Sequence, residues 1–280
     1  MTFTNHSAEV YIPDNAKKGN KIYMALAAHQ DDVEIMAADG ILKGFAGKDS
    51  AFVAVVTTDG AGSARDGIYK NYSDEEMMKI RRAEQKKAAV VGEYKALYQL
   101  NYQSNAVKSP NNISIAEDYV KIIKKHKPVA VYTHNLLDKH NTHLGVAVKA
   151  VTAIRSLPKS ERPKNLYGCE VWRNLDWLPD AEKTAFDLSP FENLQAALLG
   201  VFDSQISGGK RYDLATQGRR LSNATYSESH SVDNVKSLSY ALDLTPLIKD
   251  DKLDIIDFAL SKIEAFKKEA ESKLKSVIVL

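Results

Sequence analysis

The chain has 280 residues, 44% of them hydrophobic, which is enough apolar material for one large core. Its 38 basic and 36 acidic residues give a formal net charge of +2, so overall charge favours neither nucleic acid nor an anionic membrane as partner. No stretch of the sequence reaches the ~18 apolar residues of a membrane span. The single cysteine, Cys169, excludes an intramolecular disulfide and permits a reducing compartment, so we expect a soluble, cytoplasmic protein.

The first elements alternate between strand and helix patterns. Residues 1–20 contain no apolar run of signal-peptide length and predict an N-terminal arm. Residues 21–28 predict a buried strand, residues 33–45 a helix with one apolar face, and residues 51–57 a second strand. The glycine-rich loop at 58–67 lacks the order of a phosphate-binding loop and does not lead directly into a helix, so we expect a mobile loop beside a pocket.

The later elements follow the same alternation. Ser73 and Glu76 form a capping box for a helix that runs to Val91. The further predicted elements are a strand at 95–100, a helix at 114–123 capped by Ser114 and Glu117, a strand at 129–132, a helix at 144–154, a strand at 166–172, a helix at 191–202, a long loop or short helices at 204–231, an edge strand at 238–247 and an amphipathic helix at 252–274. This last helix either covers a sheet or serves an oligomer.

A polar cluster follows directly after the first predicted strand. His29 and Asp32 can face one ion if the chain turns sharply there, and nitrogen with oxygen ligands suits zinc. Asp31 is then a candidate general base, since it is adjacent but not needed as a ligand. The alternative is that Asp31 or Asp32 only caps the following helix.

A second polar cluster follows the strand predicted at 129–132. His143 would complete the zinc site as its third ligand, while His140 is placed to serve a reacting carbonyl group. Asp138 could hold the tautomer of His140 or raise its pKa. We expect His134 to be structural, either bonded to Asp138 or behind the metal ligands. Each histidine taken alone also fits a surface or core position.

Three segments together resemble one known family. His29-Gln30-Asp31-Asp32-Val33-Glu34 with Gly40 is similar to the A-H-P-D-D-x-E signature of the PIG-L/LmbE-like deacetylases. Residues 138–143 resemble the family's D-x-H-x-x-H element, and Arg81 to Gly92 resembles its R-x-x-E…A-A-x-x-L-G helix. Weaker similarities occur at residues 203–205, near a late S-Q element, and at residues 226–228, near a terminal Y-A-E.

The resemblance implies an α/β, Rossmann-like three-layer fold with a mostly parallel sheet. The resemblance spans roughly residues 20–230; from the length and composition we expect a single domain over residues 1–280, with an N-terminal arm at 1–20 and a C-terminal strand and helix at 230–280. The resemblance also implies zinc-dependent removal of an N-acetyl or other N-acyl group from an amino sugar or glycoconjugate. The zinc ligands would be His29, Asp32 and His143, with Asp31 as general base, His140 stabilising the oxyanion, preferably protonated, and Arg81 contacting substrate.

Several residues keep alternative interpretations. Gln30 replaces the usual proline, and residues 100–105 lack the aspartate that the family commonly carries there, which affects the substrate rather than the metal chemistry. Without the resemblance, Arg81 would be assigned to a solvated basic face. Trp172 and Trp177 could stack on a sugar, although large aromatics in an amphipathic strand are more often core residues. His230 could approach the cleft or be exposed.

The working hypothesis is a zinc-dependent N-deacetylase that acts on a small-molecule N-acyl amino sugar, with no nucleic-acid partner and homo-oligomerisation left open. One alternative is another metal-dependent hydrolase, although a two-metal phosphoesterase would need more carboxylate ligands. The other is a non-catalytic nucleotide-binding module of Rossmann type. The chain has no G-x-G-x-x-G sequence after the first strand, which argues against this second alternative.

Overall fold

A computed structural model describes residues 1–278 as helices packed on both faces of a sheet. In this part of the chain the sheet has eight strands in the order β1-β4-β3-β2-β5-β6-β8-β7. The strands are β1 Glu9–Tyr11, β2 Lys21–Ala27, β3 Ser50–Thr58, β4 Ala96–Tyr102, β5 Ala130–His134, β6 Asn165–Cys169, β7 Lys183–Asp187 and β8 Leu238–Asp243. Strands β4, β3, β2, β5 and β6 pair in parallel, whereas β1 and β8 pair antiparallel to their neighbours.

Eleven α-helices connect these strands within the described residues. They are α1 Asp32–Met36, α2 Ala38–Ala46, α3 Asp74–Val91, α4 Ser104–Lys108, α5 Ser114–His126, α6 Asn141–Arg155, α7 Glu192–Gly200, α8 Asp203–Ile206, α9 Tyr212–Thr225, α10 Thr245–Lys249 and α11 Ile255–Val277. No helix among residues 1–278 is long and apolar enough to cross a membrane.

The central strands are buried on both faces, which divides the apolar core in two. Alternate residues of β2, such as Met24 and Ala25, enter opposite clusters. One cluster includes side chains of α5 and α6, and the other includes side chains of α2 and α3. A near-continuous apolar strand needs cover on both sides, so the sheet lies between two helical layers. The predicted three-layer α/β fold is confirmed.

The chain reverses its direction of travel across the sheet beside β2. From β2 it moves to β3 and β4 on one side, then returns through α5 to β5 on the other side of β2. In open α/β sheets ligands bind outside the carboxyl ends of the strands at such a switch point. The ends of β2 and β5, at residues 27 and 134, are therefore adjacent although they are far apart in sequence.

Local details depart from the sequence-based expectation. The helix expected at 33–45 is broken at Ala37 into α1 and α2. Ser114 does not cap α5, because the cap position is Ile113 and the Asn112 side chain accepts the Ser114 N–H instead. The region predicted as a long loop or short helices contains the end of the short helix α8 and the longer, 14-residue helix α9.

The outer part of the sheet also differs from the prediction. Strand β8 is not an edge strand, because β7, which was not predicted, pairs along its outer side. Residues 9–11 of the expected arm form the edge strand β1. A single domain over residues 1–280 stays a prediction, and residues 279–280 lie outside the described residues.

Candidate metal centre

The site begins where β2 ends and the chain turns sharply into α1. Asp31 stands before the helix with φ +88°, in the left-handed region that few side chains other than glycine adopt. Its backbone N–H donates to Gln85 Oε1 at 3.1 Å, which helps to hold this conformation. The turn directs His29 and Asp32 to one side, as the three-residue spacing predicted.

Three donor atoms from His29, Asp32 and His143 form a compact triangle. His29 Nδ1 lies 3.1 Å from Asp32 Oδ2 and 3.2 Å from His143 Nε2. The third edge, from His143 Nε2 to Asp32 Oδ2, is 3.3 Å. In a tetrahedral zinc site with bonds of about 2.0–2.2 Å, two ligand atoms lie roughly 3.3–3.6 Å apart. The three edges lie at or just below this range, so these residues could hold a zinc ion. Two overlapping groups around His143 have the donor spacing of a metal site: one adds His29 and His140, and the other adds Asp32 and His134.

Asp138 orients His143 from the opposite side of its ring. Asp138 Oδ2 lies 3.4 Å from His143 Nδ1, and Asp138 Oδ1 accepts the backbone N–H of His140 at 2.8 Å. Burial opposes a charge on His143, but Asp32 and Asp138 outweigh it and raise the pKa of His143 to about 9. Asp138 contacts the ring of His143 but only the backbone of His140, so it does not hold the His140 tautomer. Its charge raises the pKa of His140, as expected, but does not outweigh burial.

His134 is a structural histidine behind the triangle. Its Nε2 accepts the N–H of Ala28 at 2.9 Å, which occupies the lone pair that a metal would need. Its ring stacks on His143 with centroids 3.8 Å apart, and burial holds its pKa well below the usual value. His134 therefore ties the end of β5 to the end of β2, rather than bonding Asp138.

His140 lies beside the triangle at the wall of the pocket. Its ring centroid is 5.1 Å from that of His29 and 4.7 Å from that of His143. Burial and the neighbouring histidines lower the pKa of His140 to about 4. The expected protonated ring is not supported, and a neutral imidazole is the form that fits this site.

Asp31 is buried against Arg81 rather than exposed to solvent. Its Oδ2 lies 3.3 Å from the guanidinium of Arg81, which also donates to the carbonyl of Gln30. Burial raises the pKa of Asp31 to about 7, because the ion pair with Arg81 only partly offsets it. Arg81 is 2% exposed, yet it lines the pocket, and its predicted contact with substrate stays a prediction.

A buried network that the sequence reading missed supports Asp31. Glu34 Oε1 accepts from both Tyr94 Oη and Gln85 Nε2 at 2.8 Å, and Gln85 in turn accepts the Asp31 N–H. Burial raises the pKa of Glu34 to about 8. The position of Gln85, directly after the R-x-x-E segment, was the available signal, but only the fold brings it to α1.

The R-x-x-E segment is in contact with one of the two weaker motifs, the S-Q element. Glu84, in the segment that begins at Arg81, accepts the N–H and the hydroxyl of Ser204, each at 2.6 Å. Gln205 follows and lines the pocket. By contrast Tyr226 is exposed at the end of α9, and neither it nor His230 lines the pocket.

The triangle opens into a pocket of about 520 Å³. The glycine-rich loop lines one side through Gly60 and Gly62, as expected, and Trp172 lines another. Trp177 instead packs against the apolar core. A larger groove of about 870 Å³ lies between the N-terminal arm and the ends of β3 and β4. It contains none of the candidate metal ligands, so the smaller pocket is the candidate active site.

Comparison with known proteins gives one matching family and several solved structures with a similar fold. Residues 24–154 match the family model described as PIG-L: GlcNAc-PI de-N-acetylase, which confirms the resemblance carried by the motifs. This segment contains His29, Asp31, Asp32, His140 and His143. No curated protein matches the chain.

Solved structures with a similar fold have different activities in their names. N,N'-diacetylchitobiose deacetylase from Pyrococcus horikoshii is 17% identical with a TM-score of 0.64, over 89% of this chain and 92% of that one. The 4-carboxy-2-hydroxymuconate hydratase of Pseudomonas putida KT2440 is 16% identical, with a TM-score of 0.58 over 80% of this chain and 96% of the hydratase chain. The A40926 pseudoaglycone deacetylase is 13% identical, with a TM-score of 0.56 over 80% of this chain and 96% of the deacetylase chain. At these identities the likeness shows the fold alone.

Proposed function

We propose that this chain, whose residues 24–154 match the PIG-L family, is a metal-dependent N-deacetylase that acts on an N-acyl amino sugar or glycoconjugate. The observation that carries the proposal is the triangle of His29, Asp32 and His143 beside the buried Asp31. We infer the amino-sugar substrate from the description of the family and from the deacetylases that share the fold.

The three ligands would hold zinc, and the ion when bound would supply a Lewis acid and lower the pKa of water. Asp31 would take the proton from the attacking water and return it to the leaving amine. A carboxyl group whose pKa is about 7 can serve in both directions near neutral pH. The Arg81 ion pair fixes this carboxylate, and the Gln85 amide fixes the backbone that carries it.

His140 would donate a hydrogen bond to the oxyanion that develops on the acyl carbonyl. A neutral imidazole still has one N–H, and a donor fixed in advance stabilises such charge without reorganising. The hydrogen bond between the His140 backbone and Asp138 holds the residue at the start of α6. The reaction would release acetate and a primary amine.

Acetate release is the test of this proposal. We would assay the zinc-loaded protein on N-acetylglucosamine, on N,N'-diacetylchitobiose and on N-acetylglucosaminyl glycosides. His29→Ala should abolish turnover and metal binding, whereas Asp14→Asn, an exposed position away from the pocket, should change neither. Stoichiometric metal with no acetate from any of these substrates would contradict the proposal.

A hydratase is the second candidate, because one enzyme with this fold is a hydratase. It would add water to a double bond of a carboxylate substrate rather than cleave an amide. Loss of the ultraviolet absorbance of an unsaturated dicarboxylate, with no acetate released from any amide, would favour it.

A further inference from the structure

The candidate active-site pocket has one sign of charge at its rim. Lys108, Lys210 and Arg219 line it, whereas its only lining carboxylates, Asp31 and Asp32, belong to the metal end. Among residues 1–278 no carboxylate lies within 4.0 Å of the charged groups of these three cations. A chain whose net charge is only +2 thus concentrates unpaired positive charge around one opening.

Two of the three cations at the rim contact a carbonyl or an aromatic group. Arg219 donates to the carbonyl of Val171 at 2.6 Å. Lys210 Nζ lies 5.4 Å from the centroid of the Trp172 ring, and Lys139 Nζ lies 5.2 Å from the same ring. These contacts place the charges without neutralising them.

We propose that this rim binds an anionic group, a phosphate or a carboxylate, that the acylated substrate carries. The inference rests on the proposed deacetylase function and narrows its substrate class. Clustered cations repel one another, and an anion between them would relieve that repulsion through charge-assisted hydrogen bonds. A divalent metal in the same pocket would add to the attraction.

Binding of matched sugars tests the anionic site without turnover. The probes are N-acetylglucosamine and its 1- and 6-phosphates, measured by calorimetry on the zinc-loaded Asp31→Asn protein. At low salt a phosphate ester should bind about ten-fold more tightly than the neutral sugar, and 0.5 M salt should remove most of the difference. Lys210→Ala and Arg219→Gln should each reduce the ratio of the two affinities by at least about three-fold. Lys249→Ala, on the distant α10, should leave this ratio unchanged.

The outcomes separate this inference from the proposed function. Equal affinity for neutral and phosphorylated sugars, or a preference that survives both rim variants, would overturn the anionic site even if acetate is released. A preference that depends on Lys210 and Arg219, with no acetate from any probe on the wild-type protein, would overturn the deacetylase and leave the anionic site in place.

A second, independent inference concerns the C-terminal helix α11. Asp254 caps it by accepting the N–H groups of Ile256 and Asp257, and Phe258 and Ala259 are its buried side chains. Lys262 pairs with Glu182 at 2.5 Å on the same inner face. The helix is therefore fixed to the body along one face only.

The outer face of α11 carries an apolar stripe over its full length of about 35 Å. Apolar side chains recur at spacings of three and four, with Lys267 as the one charged interruption: Ile256, Leu260, Ile263, Ala270, Leu274 and Val277. Leu260 and Leu274 are more than half exposed. This spacing is the pattern of a helix that packs along another helix, and an exposed apolar stripe of this length marks an interaction surface.

The charges of α11 are divided between its two halves. Residues 254–266 carry three acidic side chains against one lysine, and residues 267–278 carry four lysines against two glutamates. A second copy of the helix packed in parallel would bring like charges together. An antiparallel copy would bring the acidic half of each helix beside the basic half of the other.

We propose that the protein forms a homodimer in which the outer stripes of two α11 helices pack antiparallel around a two-fold axis. The same stripe then serves both partners, as a symmetric interface requires. The charge complementarity selects a second copy of this chain as the occupant.

Light scattering after size exclusion tests the dimer. The wild-type chain should elute as a dimer, and Leu260→Glu with Leu274→Glu should elute as a monomer. The matched control is Ser261→Glu with Ser272→Glu, which adds the same charge on a different face of α11. A wild-type monomer at every concentration up to about 100 μM would overturn the proposal, as would binding of a monomer to anionic lipid vesicles through the stripe.

Cross-linking tests the orientation. Chains with Ile256→Cys and chains with Leu274→Cys should form a disulfide with each other when mixed, because an antiparallel pair brings these positions together. Cys169 is buried and does not compete. Cross-linking of each variant only with itself would show a parallel pair and overturn the antiparallel arrangement.

Discussion

At the scale of single residues, the site depends on which neighbour each polar group meets. His29, Asp32 and His143 meet one another at hydrogen-bond distance, whereas His134, of the same chemical type, meets a backbone N–H and is used for structure. Asp31 and Asp32 are adjacent in sequence, but their pKa values move in opposite directions. Burial raises the pKa of Asp31, whereas the contact with His143 outweighs burial and lowers the pKa of Asp32. Such separation of two carboxyl groups supports the different roles proposed for them.

Replacing Asp31 with asparagine tests its role as the base. The amide keeps the size of the side chain but cannot take a proton, so turnover should fall by ~10² to 10⁴ while metal content is unchanged. Steady-state kinetics and metal analysis on the same preparation check this. A variant with full activity would refute the assignment.

Metal binding should release a proton from His143. Asp32 and Asp138 raise the pKa of this ring to about 9, so at pH 7 it is protonated and Nε2 must lose its proton to become a ligand. Zinc affinity should therefore rise about ten-fold per pH unit between pH 6 and 8. Calorimetry in buffers of different ionisation enthalpy measures the proton release.

Asp138→Asn provides the comparison for this proton release. It removes one of the two carboxylates that favour the protonated ring and the group that orients it. Zinc affinity should fall by about 10- to 100-fold, and its rise with pH should level off at a lower pH than in the wild-type chain, because the pKa of His143 falls. A zinc affinity of the wild-type chain that does not change with pH would contradict the assignment of His143.

At the scale of elements, close approach of α2 to the sheet positions the first motif. A Cβ atom on Gly44 would lie 2.8 Å from the backbone nitrogen of Phe52 in β3, and backbone cannot move away as a flexible side chain can. Helix α2 follows α1 after the break at Ala37, so its distance from the sheet also sets the position of Asp32.

Two glycine-to-alanine changes in helices should have opposite effects. Gly44→Ala should destabilise the fold by about 1–3 kcal/mol, because it overpacks the contact between α2 and β3. Gly218→Ala in α9 has no neighbour within 4 Å and should stabilise by about 0.5–1 kcal/mol through helix propensity. Denaturant unfolding measures both, and a Gly44→Ala protein as stable as wild type would show that α2 can move away.

At the scale of the whole molecule, the candidate metal centre lies between two distant segments of the chain. His29 and Asp32 follow β2, whereas His143 lies in α6 after β5, and parallel pairing of β2 with β5 brings them together. A ligand that binds only when all three residues are in place stabilises the folded state over the unfolded one.

Zinc should therefore raise the melting temperature of the whole domain. With free zinc at about one hundred times its Kd, the gain in stability is about 2.7 kcal/mol, or some degrees in Tm for a chain of this size. Scanning calorimetry with zinc and with a chelator measures the shift, and His143→Ala should remove it. An unchanged Tm on adding zinc to metal-free protein would argue against a shared ion.

Much of the fold was predictable because local signals agree with the final structure. The apolar strands at the centre and the capping box of Ser73 and Glu76 act over a few residues, and both formed as expected. Strand β7 was missed, and α9 was expected only as part of a long loop or short helices. Both pack against β8, a contact between distant segments that local patterns do not reveal.

The sequence by itself determined the chemical types at the site and the two strand ends at which they lie. Only the tertiary structure decided that Asp138 supports His143, that His134 bonds to backbone, that Arg81 is buried against Asp31, and that Gln85 holds the turn. The physical reason is that turn and strand propensities act within a few residues of the chain. A pKa, a tautomer or an ion pair instead depends on groups that distant segments bring within a few ångströms.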